Sequence, residues 1–137
     1  MEPTIVRIQR EADIYIALSA GRRLAGELQF NENDRTRIEI CILELGHNLI
    51  RHAGGGEILI SSVYRDQATT GIVVEARDQG PGIPDIELAM RDGYSTTHSL
   101  GAGLPGVRRL MDEFQIHSTP GVGTMVRAVK WRSMRRY

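Results

Sequence analysis

The stretch EARDQGPGIPD, residues 75 to 85, holds the residues of this 137-residue chain best placed for chemistry. The apolar run Ile72-Val73-Val74 leads into Asp78, and Gly80, Pro81, Gly82 and Pro84 follow at once. In a strand, Ile72, Val74, Ala76 and Asp78 alternate onto one face, so the carboxylate is aimed at the core side. A carboxylate there needs hydrogen-bond partners or costs on the order of several kcal/mol. Two readings are open: it caps the turn made by Gly80 to Gly82, or it receives a ligand amine backed by an ordered water. A second pair, Glu44 and Asn48, is spaced four apart on a helical pattern and so shares one helix face. Asn is a poor residue inside a helix because its amide competes for backbone hydrogen bonds. An amide oxygen suits Mg²⁺, and a neighbouring carboxylate can deprotonate a nucleophile; the same spacing also suits a solvated helix face. The third stretch is SLGAGLPGVRRL, residues 99 to 110. Gly101, Gly103 and Gly106 permit close backbone approach, and the helix that follows points free N–H groups at a bound anion such as phosphate. The alternative for these glycines is a flexible loop.

The elements that must position these groups follow from periodicity. Ile5, Val6 and Ile8 predict a short strand, and Ile14, Leu18, Leu24, Ala25 and Leu28 a helix over residues 12 to 28. Asn31 to Asp34 supplies the cap of a second helix running to about His52, with Ile38, Ile42, Leu45 and Leu49 as its buried stripe. Gly54-Gly55-Gly56 stops it. Strands over Glu57–Tyr64 and Gly71–Asp78 are joined by a polar turn, Arg65 to Thr70. A short helix is expected over residues 85 to 91, then a polar loop over 92 to 103. Pro105 opens a further helix whose apolar face is Val107, Leu110, Met111 and Phe114. A turn at Thr119 to Gly123 precedes a last strand through Trp131. Mixed helices and strands point to an α/β fold in two layers, one domain over residues 1–137. Glu11 and Asp13, on the exposed side of the first helix, offer a docking face of the kind any helix has.

Composition removes several classes. Apolar residues are 41% and charged residues 25% of the chain, as in ordinary globular domains. The net charge is zero, which gives no basic field for nucleic acid or a membrane surface. Cys41 stands alone, so neither a disulfide framework nor a cysteine-ligated zinc site is available. No apolar run approaches a membrane span and the N-terminus lacks a signal peptide's apolar region, so a cytoplasmic protein is expected. No Gly-Lys-Ser/Thr P-loop and no His-Arg-Asp kinase loop occurs. Lys130 is the only lysine and every other cation is arginine, which reads as compositional drift. The tail WRSMRRY could meet an acidic partner or be a solvated terminus.

Taken together and in order, these stretches resemble a known family. ELGHN at 44 to 48 is similar to the N-box of the gyrase, Hsp90, histidine-kinase and MutL-type ATPase superfamily. DQGPG at 78 to 82 resembles its first glycine box, GAGLPG at 101 to 106 its second and GVGT at 121 to 124 its third. Within it, DQGPGIPD, LGAGLPGVRRLMDEF and the closing VKW are similar to the serine/threonine switch kinases of stressosome modules. The resemblance implies a Bergerat-type ATP-binding fold: a two-layer sandwich of a mixed, mainly antiparallel sheet covered on one face by helices. It implies ATP and Mg²⁺ as cofactors. Asp78 would accept the adenine amine, with Gly80 and Gly82 turning the chain beside the base and Thr124 near the adenine end. Asn48 would bind Mg²⁺ and Glu44 would be the general base. Gly101, Ala102, Gly103, Leu104 and Gly106 would line the triphosphate, with residues 92 to 100 as a lid.

The function implied is phosphorylation of a serine or threonine on a STAS-domain antagonist or stressosome scaffold protein, with a PP2C-type phosphatase as a further partner. The alternative is a nucleotide-gated binding module that activates such a phosphatase or sequesters a sigma factor. His47, His52 and His117 read as surface histidines.

Overall fold

A computed structural model describes residues 3–82, 90–91 and 103–132. The elements are β1 (Thr4–Ile8), α1 (Glu11–Glu27), α2 (Glu32–Ala53), β2 (Gly56–Tyr64), β3 (Thr70–Arg77), α3 (Gly103–Leu110), β4 (Glu113–Thr119) and β5 (Gly123–Trp131). The strands form one sheet in the order β1-β2-β3-β5-β4, and every ladder between them is antiparallel.

Helix α2 has both of its ends written in sequence. Asn31 Oδ1 accepts a hydrogen bond from the Asp34 amide at 2.8 Å, and Gly54 ends the helix in the left-handed region at φ 73°. Between them Ile38, Ile42, Leu45 and Leu49 are all buried. Register places Ile58, Ala76 and Val126 side by side across three strands, and Ile60, Val74 and Ala128 beside them. These rows are buried beneath the helices and make the core. On the other face Arg7, Glu57 and Arg77 lie in one row, as do Leu59, Glu75 and Arg127. Opposite charges alternate across the strands in those rows, while the neighbouring pair Val73 and Val129 is buried on the same face. The two-layer α/β sandwich therefore forms, with a sheet whose described ladders are all antiparallel.

Two expectations change. Phe114 is not on the face of the helix opened by Pro105, because that helix ends at Leu110. The amide of Asp112 turns back to donate to Val129 O at 2.8 Å, and Glu113 to Thr119 becomes edge strand β4 beside β5. Phe114 and Ile116 then point to the core, while Gln115 and His117 are exposed. Asp13 has a duty within the fold that the docking-face reading did not include: its Oδ2 accepts from the amides of Gln9 and Arg10 at 2.9 and 3.0 Å, tying down the start of α1. The short helix expected over 85 to 91 falls largely outside the described residues.

Candidate active site

Strand β3 delivers Asp78 just past its end. The Asp78 amide donates to Thr124 O at 3.0 Å, and its Oδ1 accepts from Gly80 N at 2.9 Å and Thr124 N at 3.2 Å. The turn-capping reading of Asp78 is thus realised, by one oxygen only. Its other oxygen, Oδ2, has no partner among the described residues and is open to a ligand donor.

The glycines beside Asp78 are required by close packing. A Cβ on Gly80 would lie 2.8 Å from the Cβ of Ala53, so the loop seats directly on the last residue of α2. Gly82 has φ 80°, and a side chain there would come within 2.7 Å of Thr119 O. The Gly121 amide donates to Pro81 O at 2.8 Å, and a Cβ on Gly123 would collide with Asp78 O. DQGPG and GVGT are therefore a single unit, closed by β3 and β5 running side by side. Thr124 Oγ1 lies 2.9 Å from Ser118 Oγ. Ser118 escaped the sequence reading because β4 did; the alternation of Phe114 and Ile116 with Gln115 and His117 was the available signal.

Glu44 and Asn48 sit one turn apart on α2. Glu44 is only 4% exposed, so it does not belong to a solvated helix face. Its carboxylate lies close enough to act on Cys41, whose thiol is pushed far above its ordinary value first by burial and then by that charge. Asn48 is half-buried, and its amide makes no hydrogen bond among the described residues. Helix α3 packs against α2. Gly103 opens α3 with φ 73°, Pro105 lies in its first turn, Gly106 is buried, and Leu104 packs on the core. Gly101, Ala102 and the expected lid, residues 92 to 100, lie outside the described residues. His52 and His117 are exposed, and His47 Nε2 is 3.5 Å from Glu11 at the surface.

The described site thus gathers Asp78, Gly80 and Thr124 by direct contact, packs Gly82 on Thr119 of the following turn, joins the loop to the end of α2, and sets α3 against that same helix. Residues 9–130 match the family model described as the histidine kinase-like ATPase domain. The chain belongs to the histidine kinase-like ATPase family. Membership brings ATP as the nucleotide. Among its relatives is the serine/threonine-protein kinase RsbT of Bacillus subtilis, 49% identical over 95% of this chain and 97% of that protein. The anti-sigma F factor of Caldanaerobacter subterraneus is 34% identical over 69% of this chain and 68% of that one. The same fold occurs in the RsbU and RsbW domains of a Mycobacterium tuberculosis protein, with a TM-score of 0.64 at 16% identity. That match covers all of this chain, which spans 35% of the longer one. A mycobacterial sensor histidine kinase, MprB, shares the fold with a TM-score of 0.51 at 16% identity, over 96% of this chain and 99% of that one.

For a member of the histidine kinase-like ATPase family the donors present fit a nucleotide-borne cation. Asn48 offers a neutral, hard amide oxygen that no described residue engages, and Mg²⁺ takes such ligands while sharing phosphate oxygens. Among the described residues no helix is long and apolar enough to cross a membrane.

Proposed function

We propose that this protein phosphorylates a serine or threonine on a STAS-domain antagonist or stressosome scaffold protein, using Mg-ATP, in a cytoplasmic partner-switching module. The enzyme class, serine/threonine-protein kinase, comes with the 49% identity to RsbT across nearly the whole of both chains. On the geometric side one observation carries the reading: Asp78 gives one carboxylate oxygen to the fold, and among the described residues the other has no partner beside the glycine turn. An unpaired acceptor in that place is what recognition of an adenine amine requires.

Phosphoryl transfer needs positioning and charge neutralisation more than covalent participation by the protein. Bound Mg-ATP supplies the phosphoryl group and part of the neutralising charge. Asp78 Oδ2 holds the base; Asn48 would ligate the cation; backbone amides of the first turn of α3 would face the phosphates, aided by the positive end of that helix. Glu44 takes the proton of the attacking hydroxyl.

A second reading is favoured by the anti-sigma F factor relatives: a nucleotide-gated binding module that sequesters a sigma factor or activates a PP2C-type phosphatase. Glu44 speaks for the kinase, since a binding module needs Asp78 and the glycines but no buried carboxylate one turn from the cation ligand. Intact-mass measurement of a STAS-domain protein after incubation with this chain and Mg-ATP separates the two. One added phosphate, absent with Glu44→Ala although that variant still binds ATP, is the expected result. Complex formation without added phosphate would leave the binding module as the function.

A further inference from the structure

Of the 17 lysines and arginines, Lys130 is the only lysine, and its side chain is just 12% exposed. It reaches from β5 into the helical layer. There its Nζ donates to Leu110 O, the last residue of α3, at 3.1 Å, and to Asp112 Oδ1 at 3.3 Å. It also lies 3.7 Å from Oδ1 of Asp34, a buried carboxylate in the first turn of α2. The acceptors are fixed in their turn. Arg37 Nη1 donates to Asp34 Oδ1 at 2.9 Å, and the Trp131 amide donates to Asp112 Oδ2 at 2.7 Å.

One ammonium thus meets a helix C-terminus and two carboxylates from three different segments. A cation at the carbonyl end of a helix is favourable, and an ammonium carries three donors for three acceptors. Guanidinium is a planar fork and does not match acceptors arranged around a point. That difference gives a reason for a lysine here in a chain that otherwise uses arginine.

Helix α3 has eight residues, roughly 12 Å of rod. Fixing its C-terminal carbonyl fixes the aim of its N-terminal amides. Resting on the nucleotide-site reading above, we infer that Lys130 is a positioning residue for phosphoryl transfer: it pins the C-terminal end of α3 so that the opposite end meets the nucleotide phosphates. The adenine end has its own anchors, the Asp78–Thr124 bonds between β3 and β5, so loss of Lys130 should separate phosphate recognition from base recognition.

The test measures ATP and adenosine affinities by calorimetry for the full chain, Lys130→Met, Lys130→Arg and Asp112→Asn. Weakening hydrogen bonds to a charged phosphate costs about tenfold or more in affinity, so Lys130→Met is expected to weaken ATP binding about tenfold and adenosine binding less than about twofold. Lys130→Arg should fall between. Asp112→Asn removes one of the charges paired with Lys130 at a more exposed position; it should show the same selectivity for ATP, and it carries the test if Lys130→Met does not fold. Equal losses for ATP and adenosine, or no loss for either, would overturn the inference. A wild-type protein that binds neither compound would instead overturn the nucleotide reading on which it rests.

Discussion

Asp78 illustrates how one side chain serves both fold and ligand. Because Oδ1 takes the Gly80 and Thr124 amides while Oδ2 has no partner among the described residues, the two duties separate by substitution. Asn in its place keeps an oxygen for both amides and replaces the free oxygen with a donor, which would face the donor amine of adenine. Asp78→Asn should therefore lower ATP affinity at least about tenfold, the equivalent of about 1.4 kcal/mol, with little change in melting temperature. Asp78→Ala should lose affinity and also about 1–3 kcal/mol of stability, since two amides lose their acceptor. Calorimetric titration with thermal unfolding reads both; unchanged affinity in the Asn variant would end the adenine assignment. The alternation of Ile72, Val74 and Ala76 made the inward aim of Asp78 legible in sequence. The division of labour between its oxygens was not, because the second amide belongs to Thr124, 46 residues away. Lys130 was illegible for the same reason: its acceptors lie 18 to 20 residues back along the chain in Asp112 and Leu110, and far beyond in Asp34.

At the scale of elements, those with local signals were the readable ones. Asn31 and Gly54 bracket α2, and the buried stripe of α2 repeats at three and four. Strand β4 was lost because Val107, Leu110, Met111 and Phe114 continue a helical spacing past the point where Asp112 is recruited by β5. Tertiary pairing, not local preference, ends that helix. The start of α1 shows a local device that periodicity does not reveal. Amides of Gln9 and Arg10 donate to Asp13 and hold its carboxyl below the ordinary 3.8. A carboxylate whose folded pKa is depressed stabilises fully above its unfolded value and loses that stabilisation as pH falls through the folded one. Asp13→Ala should therefore melt at a lower temperature than wild type near neutral pH, and the gap should close as pH is taken below 3.8. Melting curves collected across that range check it; a gap of constant size would show that the carboxylate charge is not what ties the start of α1.

At the scale of the molecule, the order of the glycine boxes along the chain was legible, whereas their closure onto one another was not. That closure depends on β5 pairing with β3 instead of with a neighbour in sequence order alone, a choice made by the sheet. The result is a frame in which α2 is held at both ends, by Lys130 near Asp34 at its start and by the Gly80 turn against Ala53 at its finish. A ligand that touches the Asp78 turn, Asn48 and the start of α3 at once would contact every part that this frame holds in place, and only in the native state. Binding confined to the native state stabilises it by about 2.7 kcal/mol at a hundredfold excess over the dissociation constant. For a domain of this size that corresponds to a rise in melting temperature on the order of 10 °C. The rise should occur with ATP and ADP as one cooperative transition, because the sheet and both helices that carry the site share one core. Asp78→Asn at the same nucleotide concentration should show about half of it or less. Two resolved transitions, with only one moving on nucleotide addition, would mean that the site is a locally folded unit and that Lys130 does not join α3 to the rest.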